Sequence, residues 1–285
     1  MTYENKNFSK NLFKSLKNYK IYFKNNKLNK TLNLKIDLNS LNYSKQNPSA
    51  YAFLSEYNKV ELQPEIDDLC RLHYLVCMRK VTTILEFGVG KSTLIFNHAM
   101  EKNHQNFGHQ IKNNNMIRRS NKFECHTIDD QLKWIRNVKK KNKIKKVYFH
   151  HSSVKMSLFN GHKCTLYDEL PTISPDFIYL DGPARFSAKG KINGWTTNFP
   201  DGVPMSADIL TIEHFLMPGT LIVTDGRTAN ARFLKSNLQR DWIYCHDESF
   251  DQHFFELSEK PLGIYNKKQL EFCLGREYFN RLKNK

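Results

Sequence analysis

The sequence predicts an α/β chain built on a doubly wound, mostly parallel sheet, with an antiparallel edge hairpin near the C-terminus. Three observations predict it. Short β-branched and apolar runs alternate with segments of helical periodicity, the pattern of repeated βαβ units. Those runs are apolar on both faces, as buried parallel strands are. At 40% hydrophobic and 13% aromatic, the 285 residues can bury a sizeable core and are not disordered as a whole.

Residues 1–48 form a basic, Asn- and Lys-rich N-terminal appendage. Within it Phe8, Leu12, Leu16, Tyr19 and Phe23 recur at spacings of three to four with Lys10, Lys14, Lys17 and Lys20 between them, which predicts a basic amphipathic helix. Two fates suit it: association with an acidic membrane or nucleic-acid surface, or docking of its apolar stripe on the protein's own body with the lysines in water. The second is the commoner fate of such a face. A helical lead-in over 49–79 follows, where Leu62, Ile66, Leu69, Leu72, Leu75 and Val76 carry helical spacing and Pro64 marks the start. Strands are expected at 81–87, 123–128, 146–150, 177–180 and 220–224, and helices at 92–101, 131–140, 206–216 and 229–240. Runs 242–246 and 253–257 read as two closing strands joined by a tight acidic loop. Two polar stretches break the rhythm, 102–122 and the Gly- and Pro-punctuated 183–205, and long loops of this kind often carry function. The main domain therefore spans 49–260, with 261–285 as a C-terminal extension.

Charge is unevenly placed. The chain has 44 Lys+Arg against 28 Asp+Glu, a net +16. Residues 1–50 hold ten Lys and two acids, and residues 131–146 hold eight basic residues and no acid. The remainder balances, which argues against a uniformly basic nucleic-acid coat. No run of 18 apolar residues occurs, so no transmembrane segment is expected. An apolar leader is lacking and the first Arg is Arg71, which speaks against secretory and transit peptides. Six Cys stand apart with no Cys-x-x-Cys pair, so buried free thiols are expected rather than a zinc ribbon, and with them a cytoplasmic location.

The first predicted strand ends in Glu86-Phe87-Gly88-Val89-Gly90-Lys91-Ser92-Thr93. A phosphate-binding P-loop needs Gly at position 85, where Leu85 stands inside the strand, so Gly90-Lys91-Ser92 is a decoy. A dinucleotide fingerprint needs Gly at 93, where Thr93 stands. An acid two residues before Gly-x-Gly remains. This Glu86-x-Gly88-x-Gly90 pattern resembles motif I of class I S-adenosylmethionine-dependent methyltransferases, which are Rossmann-like. Gly88 and Gly90 would let backbone approach a bulky nucleoside, and Glu86 would supply an acceptor near the cationic methionine end. Ser92 replaces the usual third Gly, with Thr93 beside it.

The resemblance extends from about residue 65 to 258. It implies a ribose contact at Asp129, with Asp130 as second choice; as a helix cap, Asp130 fits better. It implies polar groups near the adenine at the third strand end, which Ser152 and Ser153 supply. Pro175 to Pro183 resembles motif IV, with Asp181 at the strand end. Asp225 ends the next strand, after the Pro218-Gly219 turn. Acids ending neighbouring strands are similar to those of catechol-type O-methyltransferases, where they hold Mg²⁺. Gly226 stands where that group has a second Asp or Asn, and Asn230 would serve only if the turn folds back. Without a metal, Asp225 would cap the following helix. Arg185, Lys189 and Lys191 cluster in the 183–205 loop and Arg227, Asn230, Arg232 and Lys235 after Asp225, which suits an anionic acceptor or pairing with local acids. Trp195 is a loop anchor or a substrate wall.

The resemblance thus implies S-adenosyl-L-methionine as cofactor, Mg²⁺ as a possible second, and methyl transfer to an oxygen of a small molecule or sugar. Asp181 and Asp225 are the candidate catalytic and metal-holding residues, with Arg185, Trp195, Arg227 and Asn230 toward the substrate. Two alternatives stay open. An RNA methyltransferase could use the basic segments as a phosphate track, although Asp181-Gly182-Pro183-Ala184 departs from the Asn/Asp-Pro-Pro-aromatic motif of base-amino methylation. A non-catalytic nucleotide- or membrane-surface-binding module could keep the same fold.

Overall fold

A computed structural model describes residues 2–32, 65–114, 119–141 and 144–283. The expectations for Leu62 and Pro64, and for the lead-in before residue 65, lie outside the described residues. Among the described residues there are ten strands: β1 (Tyr3–Glu4), β2 (Thr83–Phe87), β3 (Glu124–Asp129), β4 (Val147–His151), β5 (Val154–Phe159), β6 (His162–Tyr167), β7 (Phe177–Leu180), β8 (Leu221–Asp225), β9 (Trp242–Asp247) and β10 (Gln252–Leu257). Eight of them form one sheet in the order β4-β3-β2-β7-β8-β10-β9-β1. β4, β3, β2, β7 and β8 run parallel, and β10 is antiparallel to both of its neighbours. The fold is thus Rossmann-like, as its sequence pattern implies. One detail differs: β10 slots inside the sheet between β8 and β9, and β1 pairs with the outer side of β9.

Alternation along the strands assigns each side chain to one of two cores. Ile84, Cys125, Tyr179, Val223 and Phe254 face one layer. It holds α4 (Ile66–Met78), α5 (Lys91–Asn114) and α9 (Gly263–Lys283), together with the N-terminal helices α1 (Phe8–Leu12), α2 (Tyr19–Asn25) and α3 (Leu28–Thr31). Leu85, Phe87, Ile178, Ile222 and Phe255 face the other layer, with α7 (Asp208–Ile212), α8 (Thr228–Asn237) and the β5–β6 hairpin. Helix α6 (Leu132–Lys141) follows β3.

Two expectations are corrected and two elements are added. The N-terminal stripe is broken into two short helices, α1 and α2, with α3 beyond it. Of its two fates it takes the commoner, docking on the protein's own body: Phe8, Leu12, Phe23, Leu28 and Leu32 share a core with α4 and α5. The helix expected at 92–101 continues to Asn114, so most of the polar 102–122 stretch is helix. Asn103 donates to the carbonyls of Val76 and Val81 at 3.0 Å, Phe107 packs edge-on against Phe272 and Ile111 is buried. Met100, Asn103, Phe107 and Ile111 keep a helical period that the surrounding Asn, His and Lys conceal. The β5–β6 hairpin was not anticipated, although Asn160-Gly161 marks it: both residues have positive φ, 49° and 79°, as a type I′ turn requires. The residues beyond 260 form α9, which buries Leu270, Phe272 and Tyr278.

Candidate active site at the carboxyl ends of the strands

From β2 the chain winds outward through β3 to β4, then returns to place β7 on the other side of β2. The β2–β7 junction is the switch point at which open α/β sheets bind ligands. The loop after β2 meets the loop after β7 backbone to backbone. A Cβ on Gly182 would lie 2.6 Å from the Gly88 nitrogen and 2.8 Å from its Cα, and Gly88 itself has φ +99°. Both positions therefore require glycine. Gly90 differs, since a Cβ there would meet nothing within 4 Å, leaving open space above the turn.

The turn is braced from below. Glu86 is wholly buried, with Ser92 Oγ donating to Oε1 at 2.6 Å and Thr93 Oγ1 to Oε2 at 2.8 Å. Thr93 Oγ1 also accepts from the Gly90 N–H at 3.0 Å. The three side chains face inward and set the shape of the loop. Burial pushes the Glu86 carboxyl up to about 8 against the pull of those hydroxyls.

Asp129 ends β3. Its Oδ2 accepts from the Val89 N–H at 2.8 Å and its Oδ1 from the Gln131 N–H at 2.7 Å. It therefore joins the glycine turn to the start of α6. Burial raises Asp129 to about 7, its two backbone donors opposing. Each of its oxygens keeps a second lone pair for a ligand hydroxyl. Ser152 Oγ accepts from the Glu169 N–H, while Ser153 Oγ accepts from Lys189 Nζ at 3.0 Å.

Asp181 is exposed at the end of β7, 3.7 Å from Arg227 Nε. Arg227 is buried, and its Nη2 donates to the carbonyls of Asp181 and Pro183 at 2.6 and 2.8 Å. It thereby anchors the start of the 183–205 loop, while its Nη1 is buried without a partner. Asp225 accepts from the Tyr179 hydroxyl at 3.0 Å. Across from it, Asp68 in the first turn of α4 is buried with Oδ1 unpartnered. Burial first, then their mutual charge, raises Asp68; for Asp225, burial comes first and the charge of Asp181 second. Sequence reasoning missed Asp68 and Tyr179. Tyr179 sits two residues before Asp181 on the same strand, but what α4 brings over β8 depends on packing.

Two expected substrate residues are placed elsewhere. Asn230 is wholly buried, its Oδ1 accepting from the Ser206 N–H and its Nδ2 donating to the Ser206 carbonyl, both at 2.9 Å. It cannot turn toward Asp225. Trp195 packs on Phe199 and lies 5.8 Å from Lys163 Nζ, alongside β6 near the hairpin tip. Arg185 stays in the loop beyond Asp181, with Nη1 bonded to the Gly202 carbonyl.

Mg²⁺ needs several oxygen ligands in near-octahedral geometry. Asn230, the expected third donor beside Asp181 and Asp225, is spent on Ser206, and Asp225 holds the Tyr179 hydroxyl.

No family model matches the chain, and no curated protein matches its sequence. Among solved structures, the chain is similar to the SAH-bound Podospora anserina methyltransferase PaMTH1, with 12% identity and a TM-score of 0.39. The match covers 75% of this chain and 89% of that one. No helix among the described residues is long and apolar enough to cross a membrane. The chemistry of the site therefore rests on its own residues.

Proposed function

We propose that the chain binds S-adenosylmethionine at the β2–β7 junction and transfers its methyl group to an oxygen of a small molecule or sugar. One observation carries the reading: a glycine turn with open space above it stands among the carboxyls of Asp129, Asp181, Asp225 and Asp68. Such a rim opposes phosphate and suits a sulfonium and an ammonium group. Three of these carboxyls, all but Asp181, are raised by burial, so a bound cation would restore their ionised forms.

The backbone of Gly88 to Gly90 would take the methionine end, Asp129 and then Asp130 the ribose, and Ser153 the adenine side. The cofactor supplies an electrophilic methyl group. Asp181, exposed at the strand end, would accept the proton of the acceptor hydroxyl or orient it. Arg227 holds the backbone on which Asp181 stands, so that donor and acceptor meet in fixed geometry.

Calorimetry with S-adenosylhomocysteine tests the reading. Wild type should bind with one-to-one stoichiometry, and Gly90→Arg, which fills the open space without a positive-φ penalty, should weaken binding at least tenfold. Failure of the folded wild type to bind would sink it.

A further inference from the structure

On the opposite face of the sheet, at the same rim, His246, Asp251 and His253 converge. One donor atom from each lies within 4.8 Å of the others. His246 Nε2 is 3.3 Å from Asp251 Oδ1. Thr228 Oγ1 lies 3.3 Å from Asp251 Oδ1 and 3.1 Å from His253 Nε2. Donors held about 2.0–2.1 Å from a tetrahedral ion stand roughly 3.3 Å apart, so these separations match edges of such a polyhedron. The two imidazoles are stacked, with centroids 3.9 Å apart and planes 11° from parallel, so the part-exposed His246 ring would turn out of the stack to aim its in-plane lone pair at an ion.

The surroundings suit an ion as well. His253 Nδ1 is 3.0 Å from the Tyr244 hydroxyl. An Nδ1–H donated there leaves Nε2 as the free lone pair, the outer hydrogen bond that orients metal-ligating histidines. His253 is buried while Asp251 is exposed, giving one rigid ligand and a path in from solvent. Two imidazoles and one carboxylate favour Zn²⁺ and its neighbours over Mg²⁺ or Ca²⁺, which prefer oxygen.

We propose that His246, Asp251 and His253 form a Zn²⁺-class site, with Thr228 or solvent in the fourth position. The ion would clip His246 near the end of β9 to His253 near the start of β10 through Asp251 of the turn between them. β10 begins beside the end of β8, with Gln252 opposite Asp225, and the Gly226 N–H donates to the Asp251 carbonyl at 3.0 Å. The clip therefore braces the strand end that presents Asp225. This inference stands apart from methyl transfer and does not need it.

The test is calorimetric titration of the chelator-treated full chain with Zn²⁺, followed by Co²⁺ absorption and thermal melts. Wild type should take up one Zn²⁺, melt higher with it, and show a Co²⁺ spectrum free of thiolate charge-transfer bands. His246→Gln and Asp251→Asn, both at accessible positions, should weaken Zn²⁺ binding at least tenfold and abolish the melting shift. Tyr244→Phe should weaken it by a smaller factor. His150→Ala, in the separate His126–His150 pair, should bind as wild type does. Absence of one-to-one binding overturns the proposal. So do unchanged affinity in both ligand variants, a thiolate spectrum, loss in His150→Ala, or Mg²⁺ binding as tightly as Zn²⁺.

Discussion

Glu86 is a carboxyl wholly buried in the fold, held by two hydroxyls that could equally serve an amide. Its pKa in the fold is raised from 4.5 to about 8. A group raised on folding gives its full contribution to stability below the unfolded value and loses it as pH climbs through the folded value. Wild type should therefore lose stability between about pH 5 and 8. Glu86→Gln should flatten that decline, since serine and threonine hydroxyls can reverse their donor roles. Urea midpoints across this range check it, and parallel pH profiles would refute it. The glycines separate shape from space. Gly182→Ala drives a Cβ against the Gly88 backbone and should cost about 1–3 kcal/mol, the range for overpacking. Gly90→Ala enters open space and should stay within about 0.5 kcal/mol.

At the scale of elements, the N-terminal segment is part of the fold rather than a basic attachment. Phe23 and Leu28 are wholly buried, and the Tyr22 hydroxyl lies 2.7 Å from His73 Nδ1 on α4. Arg71 of α4 lies between the rings of Phe13 and Phe250, with Nη2 2.7 Å from Asp247. It ties the N-terminal segment to the β9–β10 turn. Phe23→Ala should therefore cost about 3–5 kcal/mol in denaturant unfolding, whereas an appendage would cost almost nothing. The repeat from Phe8 to Phe23 was legible in the sequence. Its division into α1 and α2 was not, because the Asn18 side chain accepts from the Ile21 N–H and starts a new helix; beyond it, Lys27 takes a left-handed φ of 53° ahead of α3. Helix α5 teaches the converse: composition reads as loop while the period reads as helix, and burial of one narrow stripe decides for the period.

Over the whole molecule, charge and site separate. The acidic rim lies at the carboxyl ends of the strands, while the basic run from Lys133 to Lys146 lies along and beyond α6, with Lys133, Arg136, Lys139, Lys140 and Lys145 exposed. Ten helical residues span about 15 Å, so Lys139 and Lys140 stand well away from Asp129. Lys139→Glu/Lys140→Glu should leave S-adenosylhomocysteine affinity within twofold by calorimetry. A large loss would mean that the basic run belongs to the cofactor site.

By itself, the sequence determined the alternation of strands and helices, the glycine turn, and which acids end which strands. These are local patterns, set by side-chain period and by the backbone freedom of glycine. Only the tertiary structure decided what those residues face. Glu86, Ser92 and Thr93 turn inward because the buried carboxyl must be satisfied. Asn230 is spent on Ser206 because a buried amide must find both its partners. Asp68 reaches the rim from an element more than a hundred residues before β8. Packing and hydrogen-bond satisfaction depend on which distant segments meet, and no local pattern records that.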